Sequence, residues 1–224
     1  MLLKRLSASD RPAVTEHFAA QERRDLYLRF GYWPSRAAVE GYVNALDFEH
    51  DALFGHFDRS LQLVALAHLS MDQPNQSAEF AVSVCVAHRC HGLGQSLLDR
   101  CIEHASNCGI HSIHIQTLAE NRPMLSIVLK HRHQMQSFAQ ERLATVPVPA
   151  KGLLSQLHES LQDEMAALEH LGVRGLLALG RACSRAAHCR RPATSMQVQR
   201  PVTTSSRVAT EAVVPLPTHS KITT

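Results

Sequence analysis

The chain is 224 residues long and 45% hydrophobic, with 23 lysines and arginines against 20 aspartates and glutamates, a formal net charge of +3. That length suits one substantial core and not two full domains, and so small a charge surplus excludes nucleic acid as the default partner. No stretch approaches the roughly 18 apolar residues of a membrane span, and the apolar run after Met1 is too short for a signal peptide, so no membrane contact and a cytoplasmic location are expected.

In chain order, Leu2 to Leu6 reads as a short strand, and Ser7 to Pro12 supplies capping residues and a first-turn proline for a helix over about 12–21. Ser35 caps a second helix, in which Val39, Tyr42, Val43 and Leu46 recur at spacings of three and four. Between them Asp25 to Trp33 forms either the wall of a substrate pocket or part of the core. Ala52–Phe57 and Leu61–Leu69 predict a hairpin, the second arm apolar enough for a central strand. After the turn Gln73-Pro74-Asn75-Gln76, Ala78–Val86 predicts another strand.

Gly94–Cys108 predicts a helix with Leu97, Leu98, Cys101, Ile102 and Ala105 on one face and Gly109 at its C-cap. Ser112–Leu118 follows as a strand, so the strand–helix–strand order implies a parallel crossover. Asn121 to about Lys130 is helical, Ser137–Val146 holds a last strand, and Leu153, Leu154, Leu157, Leu161, Met165 and Leu168 mark an amphipathic helix whose stripe packs on the domain or on a second subunit, making a homodimer. Weaker helical patterning continues from Gly172 to Arg191. Its arginines, Arg181, Arg185, Arg190 and Arg191, are read as a solvated basic end rather than a site for an acidic partner. From Pro192 to Thr224 the Thr, Ser, Pro and Val composition without periodicity predicts disorder. The expected organisation is a domain over 1–148, a helical extension over 149–191 and a disordered tail over 192–224.

Six cysteines (Cys85, Cys90, Cys101, Cys108, Cys183, Cys189) form no CxxC pair, as expected of reduced thiols. Among 15 histidines the pairs His111/His114 and His131/His133 belong to no cluster of three or four ligands at a familiar spacing, so no metal is expected.

Chemistry concentrates in Arg89-Cys90-His91-Gly92-Leu93-Gly94, at the point where a strand ends and a helix begins. Backbone amides there converge on one point, and the helix dipole adds about half a positive charge. Gly92 and Gly94 carry no side chain to block a bulky anion, and Arg89 offers a full positive charge. The geometry suits a diphosphate. Short glycine motifs also arise by chance at tight turns; the strand-to-helix context is what raises this one.

The run from Ala78 to Leu98, with Asn121 and Met124 following a further helix and strand, resembles the GNAT N-acetyltransferase superfamily, whose loop has the pattern Q/R-x-x-G-x-G/A after the fourth strand. The resemblance spans roughly Leu2 to Lys130. It implies an α/β fold, a mixed central sheet flanked by helices with a C-terminal helix and disordered tail appended, and acetyl-coenzyme A as co-substrate. It further implies that Val84, Cys85 and Val86 line the pantetheine arm, that Arg89, Cys90, His91, Gly92, Leu93, Gly94, Gln95 and Ser96 hold the diphosphate, and that Asn121 faces the cofactor while capping its helix. An amide of Cys85 or Val86 is expected to stabilise the thioester oxyanion. Glu79, near the position of the catalytic glutamate in histone-acetylating members, is either the general base, partly buried, or a solvated strand glutamate. Cys85 and Cys90 have no evident activating base and are read as packing residues. The resemblance also implies direct attack by a primary amine, borne by a small molecule or a protein. Where the family carries a tyrosine and a Gly-Phe pair, this chain has Val128, Arg132 and His133. That departure motivates the alternative of a non-catalytic acyl-coenzyme A sensor or partner-binding module.

Overall fold

The computed structural model describes residues 2–130, 134–138, 141–150 and 152–188. Its seven strands form one sheet in the order β1-β2-β3-β4-β5-β7-β6. Strands β1 (Lys4–Arg5), β2 (Ala52–Phe57), β3 (Leu63–Asp72) and β4 (Ser77–Val84) pair antiparallel in succession. The chain then crosses through α4 (Leu93–Asn107), so that β5 (Ser112–Leu118) lies parallel to β4. A closing hairpin, β6 (Gln134–Phe138) and β7 (Glu141–Pro147), pairs with β5 through β7. The single strand expected over 137–146 is thus two strands. Arg132 and His133 lie outside the described residues, as does the tail over 192–224.

Three helices precede the sheet's second strand: α1 (Arg11–Ala19), α2 (Arg23–Phe30) and α3 (Arg36–Ala45). Cap signals point to the first and periodicity to the third, while the second is not expected. Helix α2, Arg-Arg-Asp-Leu-Tyr-Leu-Arg-Phe, buries no residue fully, so it has no apolar stripe to betray it. Ser35 caps α3 as expected, its Oγ accepting from the Ala38 amide at 3.1 Å.

Strand alternation builds a core on each face of the sheet. Phe54, Ala65, Ala67, Leu69 and Phe80 pack with Leu97, Leu98 and Cys101 of α4 and Met124 and Val128 of α5 (Arg122–Leu129). On the other face Leu53, Leu63 and Leu66 pack with Val14 and Phe18 of α1 and Val43 of α3.

Beyond the sheet lies α6 (Leu153–His188). A charged clasp joins it to α4. Arg100, 3% exposed, pairs with Glu159 at 3.0 Å and Asp163 at 2.8 Å and stacks over the Phe54 ring, while His104 and Asn107 also bond Glu159. A buried guanidinium persists only when paired in this way. The face of α6 turned to the domain therefore carries Glu159, Asp163 and Ala166. Leu161, Met165 and Leu168, expected to pack on the domain or on a second subunit, are 60–69% exposed in the single chain, so these three do not hold α6 on the domain; the side chains of Leu153, Leu154 and Leu157 lie outside the described residues. No helix among the described residues is long and apolar enough to cross a membrane.

Candidate functional site

Parallel pairing of β4 with β5 covers only Ser77 to Glu79 on β4 and Ser112 to His114 on β5. Beyond Glu79 the two strands part. β4 keeps its ladder with β3 through Val84, and the Cys85 amide extends it by donating to the Val64 carbonyl at 2.8 Å. Alternation then turns the amide and carbonyl of Val84 toward the split, where no strand of the sheet meets them.

A cavity of about 310 Å³ opens at this split. Its walls are Val82, Ser83 and Val84 of β4, the loop from His88 to Gln95, Asn121 and the Pro123–Lys130 face of α5, and Gln21, Asp25, Leu28 and Arg29 from α1–α2. The loop residues form the N-terminus of the 15-residue helix α4, with Gly92 as N-cap at φ +79°. No side chain caps the helix, and the first-turn amides of an α-helix have no intrahelical partner. Cys90 also adopts a left-handed φ, +63°, at a cost of about 1–2 kcal/mol. Leu93 and Gly94 are buried against α5. A Cβ on Gly94 would stand 2.6 Å from Ile127 Cδ1, so glycine permits the close approach of loop and helix. An anion at the mouth of α4 meets several amides and the positive end of the helix dipole. Those features, with an open strand edge beside them, fit an acyl-coenzyme A: amides and dipole for the diphosphate, an unpaired ladder for the amide-bearing pantetheine.

The structure brings together on this cavity Val84, Arg89, Cys90, Gly92, Leu93, Gly94, Gln95 and Asn121 from the expected set; Cys85, Val86, His91 and Ser96 adjoin it without lining it. Asn121 is the N-cap of α5, Oδ1 accepting from the Met124 amide at 3.2 Å while Nδ2 donates to the Leu28 carbonyl at 3.3 Å. Cap and cavity wall coincide in one residue. Of the two amides considered for the oxyanion, that of Cys85 is engaged in the β3 ladder, which leaves Val86.

Arg89 lines the cavity and is paired within the chain. Its Nε donates to the Val84 carbonyl at 3.0 Å, and its Nη2 pairs with Asp25 Oδ1 at 2.8 Å. The guanidinium thus lies across the open edge of β4, its charge matched by a carboxylate on α2. Asp25 Oδ2 is buried and has no hydrogen-bond partner among the described residues.

Glu79 is exposed at the last β4–β5 pairing and does not line the cavity. The partial burial expected of a general base is not observed, because neither strand neighbour, Ser70 nor His114, covers it with apolar bulk. Cys85 Sγ lies 3.7 Å from His17 Nδ1, but that nitrogen faces the Leu63 carbonyl at 2.8 Å and so is no base for the thiol. Burial also pushes the Cys85 thiol above its ordinary range, against a nucleophilic role. Val128 is fully buried in the core, so no hydroxyl stands at that position. Ser126, on the same helix, lines the cavity instead.

Gln21, Ser83, Ser126 and Lys130 escaped sequence reasoning, whereas Asp25, Leu28 and Arg29 belong to the segment read as a pocket wall or core. For Ser126 and Lys130 a signal existed: with Pro123 and Ile127 they share one face of α5 at helical spacing, aimed at the loop. A second cavity of about 440 Å³, between Lys4, His56, Phe57 and Arg59 and the His170 stretch of α6, has no helix N-terminus on its walls.

The model of the acetyltransferase (GNAT) family matches residues 15–130, just over half of the chain. Among solved structures, the GNAT domain of S. lividans PAT superposes with a TM-score of 0.57 at 16% identity, over 65% of this chain and 89% of that one. Spermidine N-acetyltransferase from Vibrio cholerae, in complex with CoA and spermine, gives 0.54 at 16% identity over 65% and 94%. An acetyltransferase of the GNAT family from Streptococcus pneumoniae gives 0.51 at 15% identity over 66% and 99%. At these identities the likeness is one of fold.

Proposed function

The chain belongs to the GNAT acetyltransferase family, acyltransferases that use acetyl-coenzyme A, and from that premise we propose that it moves the acetyl group to a primary amine by direct attack of the amine on the thioester. The observation that carries this reading is the cavity itself, which joins an uncapped helix N-terminus to the open edge of β4. When bound, acetyl-coenzyme A supplies an activated acyl carbon and a thiolate leaving group. The chain's part is to hold and orient.

In this reading the amides of Gly92, Leu93 and Gly94 take the diphosphate, with Cys90, His91, Gln95 and Ser96 shaping the loop around it. The backbone of Val84 takes the pantetheine amides, Val86 offers the oxyanion amide, and Asn121 fixes α5 against α2 at the side of the arm. Arg89 exchanges partners: the ligand's diphosphate replaces Asp25, and the released guanidinium uncovers the Val84 carbonyl. Residues 1–148 form the catalytic domain, with 149–191 as its helical extension and 192–224 as a tail.

The acceptor is an amine on a small molecule or a protein, approaching from the side of α1 and α2, where Gln21, Asp25, Leu28 and Arg29 meet β4. One observation favours a second reading, a non-catalytic acyl-coenzyme A sensor: Val128 has no proton to give a departing thiolate. A thiol-release assay over a broad panel of amines separates the two. Release above the hydrolytic background with at least one amine is expected; binding without release for every amine would favour the sensor.

A further inference from the structure

Ser83 and His17 form a hydrogen-bonded pair on the acceptor side of β4. His17 Nδ1 lies 2.8 Å from the Leu63 carbonyl oxygen, which can only accept, so Nδ1 carries the imidazole proton. Nε2 therefore presents a lone pair, and Ser83 Oγ stands 2.7 Å from it. The hydroxyl donates to the imidazole. Ser83 belongs to the cavity wall, whereas His17, 2% exposed, stands behind it.

The surroundings keep that imidazole neutral. Burial pushes its pKa down to about 4, the Leu63 carbonyl works against this, and the Arg29 guanidinium on α2 adds to it. From the turn between α1 and α2 the Gln21 amide approaches Nε2 at 3.4 Å, and past the end of β4 the Cys85 thiol, its pKa raised by burial, lies beside the ring. The lone pair on Nε2 is therefore available at any pH at which an amine is a nucleophile.

Resting on the acetyl-transfer reading, we propose that Ser83 is the catalytic residue that takes the proton from the attacking amine, handing its own hydroxyl proton to His17 Nε2, which acts as the positioning and proton-holding residue. The balance is as follows. The amine nitrogen forms a bond to the thioester carbonyl carbon, and the C–S bond breaks with its electron pair passing to sulfur. One N–H proton goes to Ser83 Oγ as the Ser83 proton goes to His17, leaving an amide, a thiolate and an imidazolium. The imidazolium proton returns through Ser83 to the thiolate. So weak a base does not deprotonate an ammonium ion, so the acceptor enters as the free amine. It gives up its proton only once nitrogen is bonded to the carbonyl carbon and strongly acidic. Glu79 shares the Ser83 face of β4 by alternation, yet lies four residues away, exposed and off the cavity.

The test uses the full chain. Ser83→Ala is expected to lower kcat by about 10²-fold with the acetyl-coenzyme A Kd unchanged, and Ser83→Thr, which keeps the hydroxyl, to recover most of the loss. Independently of turnover, imidazole 15N spectra of the free protein should give His17 Nε2 unprotonated from about pH 5 to 8, with a resonance that moves in S83A. A wild-type protein that turns over while S83A stays within twofold in kcat overturns the relay, as does a His17 protonated on Nε2 and bare on Nδ1. A wild-type protein that releases no thiol overturns the transfer reading and the catalytic role together, whatever the tautomer.

Discussion

Replacing Asp25 by asparagine should tighten the binding of acetyl-coenzyme A. In the free protein the Asp25 carboxylate holds the Arg89 guanidinium at 2.8 Å, and the same guanidinium covers the Val84 carbonyl. A ligand that needs both must break the pair. A close ion pair is worth about 1 kcal/mol in water and about 4 kcal/mol at an effective dielectric of 20. Arg89 is 35% exposed, which screens the pair toward the lower figure, while Asp25 at 11% exposure resists screening. Asparagine keeps the shape and an acceptor for Arg89 but removes the charge. A relief of about 1.4 kcal/mol corresponds to a tenfold lower Kd. Isothermal titration of wild type, D25N, R89Q and the double variant completes a cycle. R89Q alone should weaken binding, and D25N should tighten it only while Arg89 is present. D25N binding equal to or weaker than wild type, with an unchanged melting temperature, would refute the partner exchange.

Three further outcomes follow from the same geometry. The α4–α6 clasp should depend on pH in both directions. Burial lowers the His104 pKa, but its bonds to Cys108 and Glu159 outweigh this and hold it up at about 8; burial raises that of Glu159, but His104 and Asn107 outweigh it and hold it down at about 2. The histidine's contribution, on the order of 2 kcal/mol, is therefore complete below its unfolded value near 6.5 and disappears as pH rises through about 8. The glutamate's is complete above 4.5 and is lost as pH falls through about 2. Melting temperatures should peak between those limits and fall on the alkaline side, and H104Q should abolish the alkaline fall; a wild-type melting curve flat from pH 6 to 9 contradicts the assignment. Gly92→Ala meets no neighbour but must hold φ +79°, a strain of about 1 kcal/mol, so a small loss of thermal stability with weaker acetyl-coenzyme A binding is expected, and unchanged affinity would argue against the loop. Glu79→Gln, at an exposed site off the cavity, should keep kcat within about threefold, far from the 10²-fold or more of a lost general base; a larger loss would restore Glu79 to that role.

The loop that turns from β4 into α4 was legible in the sequence because all its signals are local: a strand-like run, two glycines and an apolar helix within Ala78–Ala105. The mixed sheet followed from the same segment, since strand, helix and strand in succession imply a parallel neighbour. Helix α2 was not legible, as its anchors are tertiary, among them the Asp25–Arg89 pair, the Leu28 carbonyl bound by Asn121, and Leu26 and Phe30 against the core under α1 and α3. The Ser83–His17 pair joins positions 66 residues apart, and no spacing in the sequence links the two. Arg100 shares the buried side of α4 with Leu97, Cys101 and His104, and hydrophobic spacing gives no sign of its pairing with Glu159, 59 residues away. The loss of the partial burial expected for Glu79 has a similar cause, because strand alternation alone does not tell which positions a neighbouring element covers.

The central claim is that the split between β4 and β5 holds acetyl-coenzyme A. Titrating the 15N-labelled full chain with acetyl-coenzyme A and following its amide resonances tests this most directly. The account predicts saturable shifts centred on Gly92, Leu93 and Gly94, on Val82 to Val86, and on Asn121. Amides that stay still at millimolar ligand, or that move only around His56, Phe57 and His170 at the second cavity, would contradict it.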